Sequence, residues 1–392
     1  MKERRGIVLV LLILVMVAGL LAPPGVEAQL KPWQARWEDV KARARGEGEM
    51  VVIAGGSISR NLTAFFDHFG KQFGIKVTVS TGTTSPQVNR LLAERARGVY
   101  TVDVAMISGS GIDRLADAKV LMPAMDVLFL PDVLDFSKWL MKEKFLWVDS
   151  HQKYNIASNV RHFRNLDDVY YNTKAQADID KLESWWDLLN PKWKRRIAVD
   201  FDPAQSGRGI ATNQYAVLGP EWLKRLIKEQ NPTFLGAEDT RGSVDGLIRG
   251  SYHIMFSVSG GIRTDVNNAA KSGLPVSELK KTLKEGGRLQ AAGHGAVFDR
   301  APHPHAAQLF LNWLFSREGQ TAFAELTLDP RPRNSLRIDI PQGRVTAEDW
   351  EMKKTFRAEQ LFSPADPKWI KTEEESRKWM LQIHKELRLY GQ

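Results

Sequence analysis

MVVIAGGSISRNLTAFFDHFGKQFGIKVTVSTGTTS, residues 50–85, holds two kinds of hydrophobic spacing separated by glycine. Val51-Val52-Ile53-Ala54 is a short apolar run, too short for a helix and closed by Gly55-Gly56-Ser57, so it reads as a buried strand. Leu62, Phe65, Phe66, Phe69 and Phe73 then recur three and four apart, which places them on one face of a helix. Gly74 stands where a helix-terminating glycine is wanted. Ile75, Val77 and Val79 alternate with polar residues as a second strand that runs into Thr81-Gly82-Thr83-Thr84-Ser85. In open α/β sheets ligands bind beyond the carboxyl ends of the strands, where these turns lie.

The pattern continues outward. Val88–Arg97 reads as a helix, Thr101–Ile107 as a third strand broken at Ser108-Gly109-Ser110-Gly111, and a helix follows from Ile112. On the other side, Trp33–Gly46 reads as a helix. A threefold repeat of strand, polar glycine turn and helix indicates an α/β protein with a mostly parallel, doubly wound sheet. From Lys144 the chain changes to short β-like pieces, FLWVDS, YNIASNV and DDVYYNT. A second α/β unit then spans roughly 166–289, with strands at Arg196–Asp200 and Ser251–Ser257. Pro304–Glu325 reads as an amphipathic helix pair, and the region from Thr346 as charged helix anchored by Trp350, Trp369, Trp379 and Tyr390.

With 392 residues and 43% hydrophobic content the chain can bury two cores. Residues 1–28 have a charged start, an apolar run from Ile7 to Ala22 and the small-x-small triplet Val26-Glu27-Ala28, the pattern of a cleavable secretory signal peptide. An uncleaved anchor is the alternative. No cysteine is present, which excludes disulfides, thiolate chemistry and a lipid anchor on cysteine. The formal charge is +9, and basic residues are spread along the chain apart from Lys192, Lys194, Arg195 and Arg196. This favours anionic ligands and carries no nucleic-acid footprint.

A catalytic reading lacks its parts. The eight histidines have no metal-ligand spacing. His303 and His305 flank a proline and are expected to face solvent from a loop. No Gly-x-Ser-x-Gly elbow or phosphate-binding loop occurs, and a hydrolase using Ser259 with His294 is the enzyme alternative. Small hydroxyl and glycine residues instead recur just after strands: Ser57, Thr81 to Ser85, Ser108 to Gly111, Ser206 to Gly209 and Ser257 to Gly261. Any one of these is ordinary turn chemistry. Such turns expose backbone N–H groups and hydroxyls, a natural anion site where a helix follows, and five of them in one exported two-unit chain point to a ligand cleft between the units.

These residues resemble a known family. The order VVIAGG, FGIKV, TGTTS and VDVAMIS is similar to the extracellular solute-binding proteins of ABC importers, and more closely to their ferric-iron branch with the type 2 periplasmic-binding fold. VYYNTK, SWWDLLNPKWKRRIAVDFDPAQSG and APHPHAAQLFLNWLFSREGQ carry the rest of the resemblance, over roughly 48–335. It implies two α/β lobes joined by crossing strands near Arg164–Asp167 and Gln290–Gly295, with a ligand held between them. The corresponding division is 29–165 plus 290–338 for lobe 1, 166–289 for lobe 2, and 339–392 as a C-terminal helical segment packing on both.

The branch's paired ferric tyrosines would fall in GSYHIMFSVSGG, where this chain has Ser257, Ser259 and Gly260. Its histidine position corresponds to Ser57. Tyr170 and Tyr171, with Asn172, match the family's crossover and are expected at the hinge or cleft. The expected site is therefore Ser57, Thr81, Thr83, Ser85, Ser108, Ser206, Gly207, Arg208, Ser257, Ser259, Gly260, His294 and Arg333, with the two arginines as forked counter-charges for carboxylate or phosphate. The expected protein is a monomeric, exported, non-enzymatic receptor without metal or cofactor. It would hand a small, anionic ligand to a membrane permease. A ferric or iron-complex carrier and a sensor subunit are the alternatives of the same fold.

Overall fold

The computed structural model describes residues 30–55, 62–82, 84–107, 109–175, 178–199, 210–235, 240–257, 260–293, 295–327, 334–355, 361–363 and 365–389. Residues 1–28, where a signal peptide is expected, and Tyr390 lie outside them. The chain divides into a unit up to Asp39 and a second from Val40 onward. Residues 30–39 begin helix α1 (Pro32–Glu47). Everything below concerns the second unit.

The opening stretch folds as its spacing requires. Strands β1 (Glu49–Gly55) and β2 (Lys76–Gly82) pair in parallel, Val52 opposite Val79, and flank helix α2 (Thr63–Phe73). Gly74 ends α2 in the left-handed conformation at φ 71°, a geometry glycine adopts without a Cβ penalty. Phe65, Phe66, Phe69 and Phe73 are buried against Phe310, Trp313 and Phe323, and each such side chain contributes about 1.5–3 kcal/mol through burial. Strand β3 (Val104–Met106) joins β1 on its other side, and β11 (Ala296–Val297) closes the first sheet in the order β11-β3-β1-β2.

Two helices start earlier than their apolar spacing suggests. Helix α3 spans Thr84–Ala96 rather than beginning at Val88, and α4 spans Gly109–Asp117 rather than beginning at Ile112. The first turn of a helix makes no use of its own N–H groups in the ladder, so glycine, threonine and proline fit there without an apolar signal. FLWVDS forms only one bridge, Trp147 to Ile156, instead of a strand.

Two longer antiparallel strands, β4 (Ala157–Phe163) and β10 (Arg288–Gly293), form the centre of a separate sheet flanked by β12 (Asn334–Ser335) and β13 (Leu361–Phe362). Gly287 precedes β10 where an added Cβ would lie 2.4 Å from the Phe163 carbonyl oxygen, so only glycine lets the chain pass. The third sheet has the order β7-β6-β8-β5-β9, from β5 (Asp168–Asn172), β6 (Ile197–Val199), β7 (Thr233–Phe234), β8 (Ile254–Ser257) and β9 (Val276–Glu278). Helices α5 (Ile210–Arg225, interrupted at Gly219-Pro220), α6 (Thr240–Arg249) and α7 (Gly260–Lys271) accompany it. Its core is built on Trp185, Trp193 and Trp222.

Helices α8 (Pro304–Phe315) and α9 (Arg317–Leu326) are the amphipathic pair. At the C-terminus, α10 (Ala347–Thr355) packs on β4 and β12, and α11 (Pro367–Leu389) packs on α5. The apolar anchors of α11 are Met380 and Ile383, both buried in the tryptophan core, with Trp379 partly buried against it. Among the described residues no helix is long and apolar enough to cross a membrane.

Candidate functional site

In the first sheet the carboxyl ends of β1 and β2 stop side by side, Gly55 opposite Gly82. Gln87 on α3 ties them together, its Nε2 donating to the carbonyls of Ala54 at 3.1 Å and Gly82 at 2.7 Å. The N-terminal turns of α3 and α4 touch there: a Cβ on Gly111 would lie 2.4 Å from the Thr84 methyl group. Neither first turn carries an acidic residue, so both present the positive ends of their dipoles unopposed. Thr81 and Ser85 are exposed at this edge.

In the third sheet the matching edge is the carboxyl end of β8. Buried Ser257 pairs with Asp168 across to β5, and Gly260 opens α7 immediately afterwards. Arg263, in the first turn of α7, forms an ion pair with Asp168, and both are buried. Next to Asp168 a second charged group is closed in. Fully buried Asp167 accepts from Asn213 Nδ2 at 2.8 Å and Gln214 Nε2 at 2.6 Å, and faces Arg288 at 3.4 Å. Burial pushes the Asp167 carboxyl up to about 6 against the pull of Arg288, Gln214 and Asn213, and burial lowers Arg288 to about 10. The Phe163 ring lies beneath both arginines, 4.1 Å from the Arg288 guanidinium carbon and 5.7 Å from that of Arg263.

The sequence-derived positions divide sharply. Thr81 and Ser85 lie at the first edge, Ser257 and Gly260 at the second. Ser57, Thr83, Ser108, Ser206, Gly207, Arg208, Ser259, His294 and Arg333 lie outside the described residues. Tyr170 is fully buried in the core between β5 and α6, and Tyr171 pairs with Ile254 at the far end of β8 from Ser257. Asn172 donates to the carbonyls of Leu247 and Ile248 and accepts from the N–H groups of Lys174 and Ala175. The structure places these three residues in the packing of the third sheet. His303 and His305 are each engaged by a carboxylate, Nδ1 lying 2.9 Å from Asp103 and 2.7 Å from Glu47 respectively, rather than facing solvent from a loop.

A cavity of about 250 Å³ lined by Met122, Val297, Arg300, Pro304 and His305 sits elsewhere. Val297 pairs with Val104, the first residue of β3, so this cavity is at the amino end of the first sheet, opposite the edge described above. Among the described residues no group of three histidines and carboxylates is placed to hold a metal ion.

Residues 64–353 match the family described as bacterial extracellular solute-binding protein. The chain belongs to this family. A curated relative, the Fe(3+)-binding periplasmic protein of Serratia marcescens, is 26% identical over 294 residues, covering 71% of this chain and 77% of the relative. Among solved structures, the Trichodesmium protein IdiA (FutA) in complex with iron and citrate is 18% identical with a TM-score of 0.59, covering 86% of this chain and 99% of that one. The spermidine/putrescine ABC transporter substrate-binding protein PotD of Streptococcus pneumoniae is 14% identical with a TM-score of 0.54, over 85% and 99%. The solved structures share the two-lobed fold with this extracellular solute-binding protein.

Polar groups outside the expected set are also buried or half-buried: Asn159 and Arg161 of β4, Asp167 before β5, and Arg288 and Gln290 of β10. A signal was available in ASNVRHFRNLDD, residues 157–168, where charged and amide residues interrupt a run otherwise suited to a buried strand.

Proposed function

We propose that this solute-binding protein is exported by cleavage of residues 1–28, captures a small solute between two lobes, and delivers it to the permease of an ABC importer. The lobes are 29–165 plus 290–338 and 166–289, and 339–392 packs on both. The observation that carries the reading is the family match, which covers residues 64–353 and with them strands of all three sheets, β4 and β10 among them. Binding without turnover follows, by closure of the lobes as the solute selects the closed state. The protein acts as a monomer and takes a small anion. Supporting this are the N-termini of α3 and α4, without acidic residues in their first turns, the excess of basic residues, and the serines and glycine at the positions of the ferric tyrosines.

A second reading, ferric iron or an iron complex as cargo, is favoured by the names of the Serratia and Trichodesmium proteins. A thermal-shift screen of organic acids, phosphonates, polyols and ferric complexes separates the two. Stabilisation by an organic or phosphorus acid alone supports the anion reading. Stabilisation by ferric salts alone, lost in Tyr170→Phe or Tyr171→Phe, contradicts it. Turnover of an ester or phosphate, abolished by Ser259→Ala, would contradict the receptor reading altogether.

A further inference from the structure

Strand β4 shows opposite faces to opposite surroundings, because successive side chains in a strand alternate. Ser158, Val160 and His162 share one face, and Asn159, Arg161 and Phe163 the other. Cross-strand pairing extends each face onto β10. Phe163 is opposite Arg288, Arg161 opposite Gln290, and Asn159 opposite Ala292. The face carrying Phe163 is also the face of Arg263, which follows the carboxyl end of β8. That is the side on which ligands bind in such sheets. On this face Arg161, Gln290 and Ala292 are each half-buried, whereas Ser158, Val160, His162, Leu289 and Ala291 on the other are buried.

We infer that Arg161, with Asn159 and Gln290 beside it on the open face of the crossing strands, forms a site for the carboxylate or phosphorus oxyanion of the captured solute. This rests on the solute-binding reading above and adds where the anion sits. Two observations carry it independently. Asn159 is fully buried, yet its Nδ2 has no hydrogen-bond partner, so a buried donor awaits an acceptor at a position two residues from a guanidinium on the same face. Arg161 and Arg288 are diagonal neighbours across the strand pair, and the charge of Arg161 acts unfavourably on Arg288. An oxyanion between the amide and the guanidinium satisfies the first and offsets the second. A forked guanidinium fits two oxygens of a carboxylate or a phosphate, which a point charge does not. All three residues belong to lobe 1 as divided above, and β4 ends immediately before the crossing at Arg164–Asp167, so an anion held there lies next to the passage into lobe 2.

The test is calorimetric titration of the purified chain at matched ionic strength with four oxyanions: citrate, succinate, inorganic phosphate and methylphosphonate. Spermidine and sorbitol serve as cationic and neutral comparators. At least one oxyanion binds the wild type, and the responding pair tells carboxylate from phosphorus. Arg161→Gln weakens that binding roughly ten- to a hundredfold. Arg161→Lys keeps part of it, and Asn159→Ala loses a smaller share. The melting temperature of unliganded Arg161→Lys stays close to that of the wild type, and binding by Asn159→Ala, which removes a fully buried amide that accepts from Ser158, is compared only where that variant is folded. Two results overturn the inference: undiminished oxyanion binding by Arg161→Gln, or no binding of any of the four by the wild type. Binding of spermidine or sorbitol that is unchanged in Arg161→Gln overturns it as well, while leaving capture of a solute intact.

Discussion

On one face of β4 and β10 several polar groups meet partners from the C-terminal region. His162 is hydrogen-bonded to Asp349 of α10, whose backbone carbonyl in turn accepts from Asn334 Nδ2 at 2.6 Å. At the strand's end Arg164 pairs with Glu348. Buried Lys353 donates to the carbonyls of Ser335 and Arg337, both at 3.0 Å, and lies 3.7 Å from the Trp350 ring centre. The other face keeps half-exposed Arg161 and Gln290 beside an amide donor with no acceptor. The same two strands thus have one side packed against the C-terminal region and another left half-exposed, and the inference above places the solute on the second. A hinge needs the first for stability and a receptor needs the second for binding.

The sharpest way to break this comparison is to remove a charge that only the fold pairs. Asp167→Ala should lose about 3–5 kcal/mol in urea unfolding, because it leaves Arg288 buried without its counter-charge. A loss below about 1 kcal/mol would mean that the site relaxes around a hydrated arginine. On the C-terminal side Met380→Ala should lose about 2–5 kcal/mol through the cavity left in the tryptophan core. That loss shows whether α11, which lies beyond the family match, is part of the cooperative fold. Asp349→Ala, which strands His162 and leaves the back of β4 incomplete, should lose about 1–3 kcal/mol.

The pH dependence of stability divides along the same line. Asp167 binds its proton more tightly folded than unfolded, with a pKa of about 6 against an ordinary 3.8. Its contribution to stability therefore declines as pH rises through that window. Lys353 is the reverse: burial lowers it to about 7 from 10.5, so stability should rise with pH above about 7. Asp167→Asn should flatten the first limb and Lys353→Met the second, as read by denaturant midpoints across pH. The smallest effect belongs to the open face. Arg161→Gln should change unliganded stability by no more than about 1 kcal/mol, the usual range for a half-exposed residue outside the core, so that its effect on binding stands apart.

The first sheet was legible because its signals are local. The spacing of Phe65, Phe66, Phe69 and Phe73, and the placement of Gly74, need no knowledge of distant residues. The starts of α3 and α4 were misplaced because helical first turns accept Thr84 and Gly109 without apolar spacing. The crossing strand was read only in part, since His162 belongs in a buried strand only once Asp349, far along the chain, is packed against it. His303 looked solvated for the same reason, with Asp103 as its distant partner. For Tyr170 and Tyr171 a family motif left hinge, cleft or packing roles open, and alternation along β5 sends one into each core of the third sheet. Of the cleft itself, the turn residues were read from composition. Arg161 and Asn159 could be found only by register, which decides which face of a strand each residue shares.

Small-angle X-ray scattering of the chain, with and without the solute that gives the largest thermal shift, tests the receptor account most directly. The account predicts a smaller radius of gyration in the presence of saturating solute, as two lobes close on their ligand. An unchanged radius of gyration with the solute demonstrably bound would contradict it.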